Sequence, residues 1–184
     1  MGSSFDRLLA DAKAGSPVAL GALYRQFNPG LCRFLVARLP SEGEDLAADV
    51  WVAVAPKIRE FSGDERGFRA WLFTIAHRRL IDHSRRRGRR GPIASLREGQ
   101  DQAAIDDPEA EALAHLEAVE VARLLLAHLT SNQCDVLMLR LYGGLYVSEV
   151  AAAMDQTEAW VRVTQHRALQ RFSRRLGVPM EVTR

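Results

Sequence analysis

The sequence has little cysteine, few aromatic residues and no long apolar run, and each shortage excludes some classes of protein. Cys32 and Cys134 lie far apart with no histidine at metal-ligand spacing, so we predict two small buried thiols and no metal or cofactor site. Aromatic residues make up 7% of the 184 residues, so Leu, Val and Ala are expected to fill the core. The chain lacks the 18 or so consecutive apolar residues of a membrane span, and its N-terminus has neither the basic start nor the apolar core of a signal peptide. We therefore expect a cytoplasmic protein with no membrane insertion.

The net charge of +2 hides a strong segregation of charge along the chain. Residues 61–97 carry a net charge of +7 and residues 159–184 carry +5, whereas residues 98–158 carry −10. Lysine is scarce, since 23 of the 25 basic residues are arginine. Codon bias in a GC-rich genome would explain arginine in place of lysine, but it would not explain the clustering. Two basic segments with an acidic segment between them indicate two contacts with a polyanion.

The residue pattern predicts an all-α protein with two small helical domains. Strand-like alternation never persists, and Ala, Leu, Arg and Glu predominate. Glycine and proline interrupt the pattern at residues 88–108, which predicts a flexible linker between a domain at 1–87 and a domain at 109–177, with a tail at 178–184. Ser16 and Pro17 are predicted to begin a helix, and Pro56 to kink or shorten one. Helices are predicted at residues 4–14, 17–39, 43–60, 66–87, 109–128, 131–142, 147–154 and 158–176.

The segment from Leu129 to Leu176 has the pattern of a helix-turn-helix unit. Its last helix is rich in arginine, and apolar or neutral side chains at 4, 3, 4 spacing, from Val161 to Phe172, mark the inward face. Thr157 is placed to cap this helix and to direct backbone N–H groups at a phosphate. The outward residues of the first two turns are predicted to reach base edges, and arginines further along to contact phosphates. The predicted base readers are Glu158, Arg162, Val163 and His166, and the predicted phosphate contacts include Arg167 and Arg171. A basic surface helix without DNA is the plainer alternative.

A second basic segment, "FSGDERGFRAWLFTIAHRRLIDHSRRR", places a short polar loop before an arginine-rich helix. Helical spacing assigns Phe68 and Leu72 to the core, and Trp71 is either a core residue or a platform for a stacked base. Arg69, His77 and Arg78 are predicted to face solvent or DNA. A glycine-containing loop beside a basic helix suits a base that has left the stack.

With "EDLAADVWVAVAPKIRE" before it, this block and the helix-turn-helix block resemble the sigma-70 family of bacterial RNA polymerase sigma factors. The resemblance covers about 150 residues and is strongest to the extracytoplasmic-function (ECF) group, which keeps only the second and fourth sigma domains. It implies a region 2 helical bundle and a region 4 helix-turn-helix. It also implies a protein without catalytic activity that binds core RNA polymerase, directs it to promoters with −35 and −10 elements, and assists promoter melting.

The resemblance also implies roles for individual residues. Asp45 and Asp49 would dock on the clamp of the largest catalytic subunit, and region 4 on the flap of the second-largest. The loop would hold a flipped −10 base, the following helix would hold the separating strands, and the last helix would read the −35 element. Members of this group are commonly held inactive by an anti-sigma protein, which adds a candidate partner. The implied −10 residues are Phe61, Ser62, Gly63, Asp64, Arg69, His77 and Arg78, and the implied −35 residues are Thr157, Glu158, Arg162, Val163, His166, Arg167 and Arg171.

Some positions depart from the family, and two other functions remain open. Ala48 stands where a glutamine is common, and Tyr146 where a capping Ser or Thr is common. A stand-alone helix-turn-helix regulator would bind duplex DNA specifically without polymerase. An enzyme such as a nuclease would use a cluster of His77, Asp82 and His83, although no second carboxylate cluster or phosphate loop accompanies them.

Overall fold

The computed structural model describes residues 4–90, Glu120 and residues 128–176, without the side chains of residues 88–90, 175 and 176. All regular structure in these residues is helical, which confirms the predicted all-α class. The predicted helix at 109–128 lies outside the described residues, except for Glu120 and His128, which are both helical. The α-helices are α1 Ser4–Lys13, α2 Pro17–Arg38, α3 Gly43–Val54, α4 Glu65–Arg90, α5 Ser131–Leu141, α6 Val147–Met154 and α7 Glu158–Leu176.

Local sequence signals account for where several helices begin and end. The Ser16 hydroxyl accepts a hydrogen bond from the Ala19 N–H at 3.3 Å, and Pro17 occupies the first turn of α2, as predicted. Pro56 shortens the third helix, because α3 ends at Val54 and a 3₁₀ turn spans Ala55–Lys57. Helix α4 continues through Gly88 to Arg90, past the predicted start of the linker. One glycine costs a helix about 1 kcal/mol, and the surrounding arginines are good helix formers.

Helices α1 to α4 form an N-terminal bundle whose core contains most of the phenylalanines. Phe27, Phe34, Phe68 and Phe73 are each at most 1% exposed. Phe27 and Phe68 lie 5.0 Å apart between ring centroids. The expectation that Leu, Val and Ala alone fill the core is therefore wrong for this bundle, since its few aromatic residues are concentrated inside it.

Gly43, the first residue of α3, lets the start of this helix lie directly against α2. A Cβ atom at this position would come within 2.5 Å of the backbone N and Cα atoms of Val36. Only glycine can occupy that position without displacing one helix from the other. The start of α3 is therefore held close to the backbone of α2.

Helices α5 to α7 form a C-terminal unit with the predicted helix-turn-helix order. A capping box begins α5, with the Thr130 hydroxyl accepting from the Gln133 N–H and the Gln133 side chain accepting from the Thr130 N–H. Helix α6 ends at Asp155 in the left-handed conformation, with φ of 54°. Val161 and Ala168 of α7 are fully buried, as the predicted inward face requires.

The C-terminal unit packs directly on the N-terminal bundle. Helix α6 lies against α4, and α5 touches α2. Gly143, in the turn between α5 and α6, sits so close to Phe73 of α4 that an added Cβ would lie 3.1 Å from its ring. The buried apolar side chains of both units belong to one continuous cluster. The described residues thus form a closed arrangement, in which neither unit is free of the other.

Candidate nucleic-acid interface

The outward face of α7 is exposed to solvent within the described residues, and of its residues Arg171 also reaches the Gln133 side chain of α5. Every residue predicted to contact the −35 element is exposed, and the apolar Val163 among them is 47% exposed. The opposite face carries Val161 and Ala168, and Thr164, which the sequence pattern did not assign to the core, is also buried there. Position 164 follows Val161 by three and precedes Ala168 by four, so helical spacing would have identified it.

Two contacts order the first turns of this face. Thr157 caps α7 as predicted, its hydroxyl accepting from the Trp160 N–H at 3.2 Å. The Arg162 guanidinium donates to Glu158 one turn away at 2.8 Å. The pair is exposed, so it is worth only a few tenths of a kcal/mol and can be exchanged for another acceptor. Arg162 is therefore held near the helix surface while remaining available to an incoming base or phosphate.

Further along α7, arginines gather beside the start of α5. Arg167, Arg171 and Arg174 line a groove together with Thr130 and Trp160. Arg171 donates to the Gln133 side chain at 3.3 Å, which ties the basic helix to the first turn of α5. This arrangement places positive charge next to the N-terminal end of a helix, where phosphate groups bind favourably.

On α3, the two acidic residues expected to meet core polymerase lie on one outward stripe. Asp45 and Asp49 are exposed and one helical turn apart. Val52 continues the same stripe three residues later and is 74% exposed, one of the most exposed large apolar side chains among the described residues. Sequence reasoning did not select Val52, although its spacing from Asp49 carries the signal.

The loop before α4 is anchored at both ends and exposed between them. The Phe61 ring lies against Trp71 at a tilt of 32°, with centroids 5.1 Å apart, and meets Phe68 edge-on. Trp71 is half-buried against the core, which favours the core interpretation of this residue over base stacking. Asp64 accepts a hydrogen bond from the Gly67 N–H at 2.8 Å and so caps α4. Ser62 and Gly63, which the resemblance also assigns to the −10 pocket, are exposed.

The three α4 residues predicted to face solvent or DNA have different surroundings. Arg78 is exposed, and Arg69 is half-buried with its guanidinium over the Phe27 ring. His77 is only 6% exposed, and its Nε2 lies 3.4 Å from an Asp135 carboxylate oxygen of α5. The prediction that His77 faces outward is therefore wrong in this arrangement. Position 77 shares a helix face with the buried Phe73, and the C-terminal unit covers that face.

The side chains of the proposed nuclease cluster do not converge. His77 faces Asp135, whereas His83 is hydrogen-bonded to Glu42, at the start of α3, and Asp82 is exposed. Within the described ranges, no group of three or more His, Cys, Asp or Glu side chains could hold a metal ion. Cys134 is fully buried as predicted, and burial raises the pKa of its thiol, whereas Cys32 is half-buried. No described helix is both long and apolar enough to cross a bilayer.

The unit interface contains two charged clusters that sequence reasoning did not find. Asp135, 1% exposed, lies 2.8 Å from the Arg38 guanidinium of α2 as well as beside His77. Arg66 of α4 donates through two nitrogens to the two carboxylate oxygens of Glu149 of α6, each at 2.8 Å. The Arg66 guanidinium also lies over the Tyr146 ring. His77 and Asp135 are 58 residues apart in the sequence, and Arg66 and Glu149 are 83 residues apart. No local sequence pattern therefore connects the partners.

Tyr146 stands where a capping Ser or Thr is common at the start of α6, and the side chain of Glu149 supplies a capping hydrogen bond instead. The Tyr146 side chain makes no capping hydrogen bond, but Glu149 accepts from the Tyr146 backbone N–H. One Glu149 carboxylate thus serves both the first turn of α6 and the Arg66 ion pair.

Comparison with known proteins assigns both halves of the chain. The family models for Sigma-70 region 2 and for Sigma-70, region 4 match residues 23–90 and 125–174. The ECF RNA polymerase sigma factor SigD of Mycobacterium tuberculosis is 33% identical over 179 residues, which cover 93% of this chain and 83% of that protein. The ECF RNA polymerase sigma factor ShbA of Streptomyces griseus subsp. griseus is 35% identical over 148 residues, 77% of each chain.

Among solved structures, CnrH in complex with the cytosolic domain of CnrY shares the fold, with a TM-score of 0.64 and 24% identity over 95% of this chain and 98% of that one. The two region matches occur in the order that the sequence blocks predict, on the bundle and on the helix-turn-helix unit. The chain therefore belongs to the sigma-70 family and, within it, to the ECF RNA polymerase sigma factors.

Proposed function

We propose that this sigma factor divides its work among three exposed surfaces: the α7 face for the −35 element, the loop before α4 for the −10 element, and the α3 stripe for core polymerase. Sigma factors of this family bind core RNA polymerase and direct it to promoters, and they are not catalytic enzymes. Because core polymerase works on chromosomal DNA, we place the protein in the cytoplasm. The observation that carries the proposal is the outward face of α7, on which every predicted −35 contact is exposed among the described residues.

On the α7 face, Arg162 is the residue that we assign to base recognition. Its guanidinium lies in the second turn, where a helix in the major groove comes closest to base edges. A guanidinium can donate two hydrogen bonds to guanine, and exchanging Glu158 for that acceptor costs little because the pair is exposed. Val163, on the same face, offers an apolar contact of the kind made to a thymine methyl group. His166 adds a polar side chain one turn further along.

The −10 role rests on the loop of Phe61, Ser62, Gly63 and Asp64. Phe61 and Asp64 hold its two ends, so the exposed residues between them have a fixed position. A site that binds only unpaired bases favours the melted state of DNA by its difference in affinity for the two states. The protein thus assists melting without a chemical step. Arg69 and Arg78 supply positive charge on α4 for the separating strands.

Core binding rests on the α3 stripe. Two carboxylates and one exposed valine on a single helix face combine charge and apolar area, as binding surfaces commonly do. Binding to polymerase fixes the two DNA-reading units relative to one another. Two weak readers held together bind through effective concentration far better than either alone, so polymerase-bound sigma is selective although each unit binds weakly.

The proposal is tested by changing Arg162 to Ala in the full chain, reconstituted with bacterial core polymerase on a pool of genomic promoter fragments. We expect a loss of about 1–3 kcal/mol at promoters with the preferred −35 base and a relaxed preference at that one position. Arg167→Ala, at an exposed predicted phosphate contact on the same helix, is the matched control, because loss of a phosphate contact weakens all promoters alike and lowers the salt dependence. An unchanged −35 preference in the Arg162 variant would refute the assigned register of α7.

A further inference from the structure

The interface between the two units holds an arginine that lies in the −10 block itself. Arg66 lies two residues after Asp64 and three before Arg69, on the first turns of α4. Its guanidinium points toward the start of α6, so the C-terminal unit lies against it and leaves the side chain 39% exposed. A groove between the two units is lined on the side of the bundle mainly by residues 64–66 and Arg69, and on the other side by Gly144, Leu145 and Glu149.

The contact on Arg66 has the geometry of a bound oxyanion. Two guanidinium nitrogens meet two carboxylate oxygens at 2.8 Å each, and this fork also fits a phosphate group. The hydrogen bond to Glu149 raises the pKa of Arg66 further above its ordinary value. An arginine side chain stays charged with or without this partner. When Glu149 moves away, the positive charge of Arg66 is left beside the −10 loop, which is where a single strand would pass.

The closed arrangement cannot be the one that reads a promoter. The −35 and −10 elements lie about 25 base pairs apart. This separation is about 85 Å of B-DNA, at about 3.4 Å per base pair. Two units in direct contact through α4 and α6 cannot lie on both elements at once. The interface must therefore open before or during promoter binding, and Arg66 then loses Glu149.

We propose that Arg66 is a DNA-contacting residue of the −10 surface and that Glu149 occupies its anion site in the closed arrangement. Closure of the two units and binding of the −10 single strand then compete for one guanidinium. The free chain is held back from single-stranded DNA by its own region 4, while the −35 face of α7 stays exposed. This inference rests on the −10 assignment made above.

Two substitutions distinguish the role of the Arg66–Glu149 ion pair in closing the two units from the role of Arg66 in binding DNA. Glu149→Gln removes the charge facing Arg66, yet its amide oxygen can still accept from the Tyr146 N–H and cap α6. Arg66→Gln breaks the same ion pair from the other side and removes the cation as well. Asp155→Asn is the matched control, because it removes one exposed carboxylate from the same unit and asparagine tolerates the left-handed conformation.

The experiment uses the full chain without polymerase and has two readouts. One is the distance between spin labels at Val18→Cys and Ala152→Cys, two exposed positions on α2 and α6, in a Cys32→Ser, Cys134→Ala background. The other is the affinity for a random-sequence single-stranded DNA of 20 nucleotides. Both Gln variants should lengthen the label distance relative to Asp155→Asn. The affinity for single-stranded DNA should rise about 3–10-fold in Glu149→Gln, because opening increases the fraction of chains whose −10 surface can bind DNA. It should not rise in Arg66→Gln, which lacks the cation.

Each other outcome refutes part of the inference. Unchanged distances in both variants mean that the ion pair does not hold the units together. Longer distances with equal affinity in the two variants mean that Arg66 is not an anion site for DNA. The distance readout involves no DNA, and promoter selection with polymerase is measured separately. The experiment therefore distinguishes an ion pair that does not hold the units together from a chain that is not a sigma factor.

Discussion

At the scale of single residues, burial and charge decide which side chains can act on a partner. His77 and Arg78 are neighbours in a basic stretch, yet one is buried against Asp135 and the other is exposed. A sequence shows that both are polar and cannot show which face the other unit covers. The α7 face was predictable, because inward and outward positions follow from 3.6-residue spacing alone.

The buried thiol of Cys134 predicts a pH dependence of stability. Burial raises the pKa of this thiol above its ordinary value, so the native protein holds the proton more tightly than the unfolded chain. As the pH rises past the ordinary thiol pKa of about 8.5, the unfolded chain ionises first, and stability falls. We expect the urea midpoint to fall more between pH 7.5 and pH 9.5 in the wild type than in Cys134→Ala. An equal fall in both proteins would contradict this account.

At the scale of elements, two glycines of the N-terminal bundle should respond to alanine in opposite directions. In Gly43→Ala the new Cβ meets the Val36 backbone, so α3 must move from α2, and we expect a loss of about 1–3 kcal/mol of unfolding free energy. In Gly21→Ala, within α2, the Cβ meets only the Arg25 side chain at 3.5 Å. Alanine there should stabilise the helix by about 0.5–1 kcal/mol. Urea denaturation of both variants measures the contrast, and equal effects would contradict it.

The α3 stripe predicts a variant that loses polymerase and keeps its fold. Val52 is 74% exposed, so Val52→Asp should leave the unfolding temperature within about a degree of wild type, as surface substitutions usually do. At a docking surface the new charge should weaken binding to core polymerase about tenfold or more. Val18→Asp on α2, 78% exposed, is the matched control. Equal binding of the two variants in a titration against labelled core would remove α3 from the docking surface.

Most elements could be predicted from the sequence, and the differences have local physical reasons. The predicted helix ends are confirmed at three places. Ser16 and Pro17 begin α2, Pro56 lies in the turn that ends α3, and Thr157 caps α7. The extension of α4 to Arg90 was missed, because one glycine weakens a helix by less than neighbouring arginines can offset. The capping box of Thr130 and Gln133 has a signal in the sequence, since a threonine stands three residues before a glutamine at the start of α5.

At the scale of the whole molecule, the packing of the two units on each other is the feature that the sequence did not reveal. Its charged contacts join residues such as Arg38 and Asp135, which local periodicity treats as unrelated. The domain limits at 1–87 and 109–177 stay predictions, since much of the chain between them lies outside the described residues. Charge segregation anticipated two DNA-binding parts, but it carries no information on how they face one another.

The buried carboxylate at this interface predicts a variant that opens without unfolding. Asp135→Ala leaves Arg38 facing an apolar contact without its partner, and an unpaired buried charge is strongly unfavourable. Separation of the units returns Arg38 to water, so we expect a larger radius of gyration by X-ray scattering with unchanged helical circular dichroism. The exposed Asp155→Asn serves as control. A radius equal to that of the control would show that this ion pair does not hold the units together.

The sigma assignment itself is tested most directly by transcription from a pool of genomic promoter fragments with core polymerase and the purified chain. We predict that the chain co-elutes with core, and that start sites lie downstream of one shared pair of −35 and −10 motifs that core alone does not select. If core with the chain initiates no more selectively than core alone, and the chain by itself binds duplex DNA tightly, the protein is a stand-alone regulator and not a sigma factor.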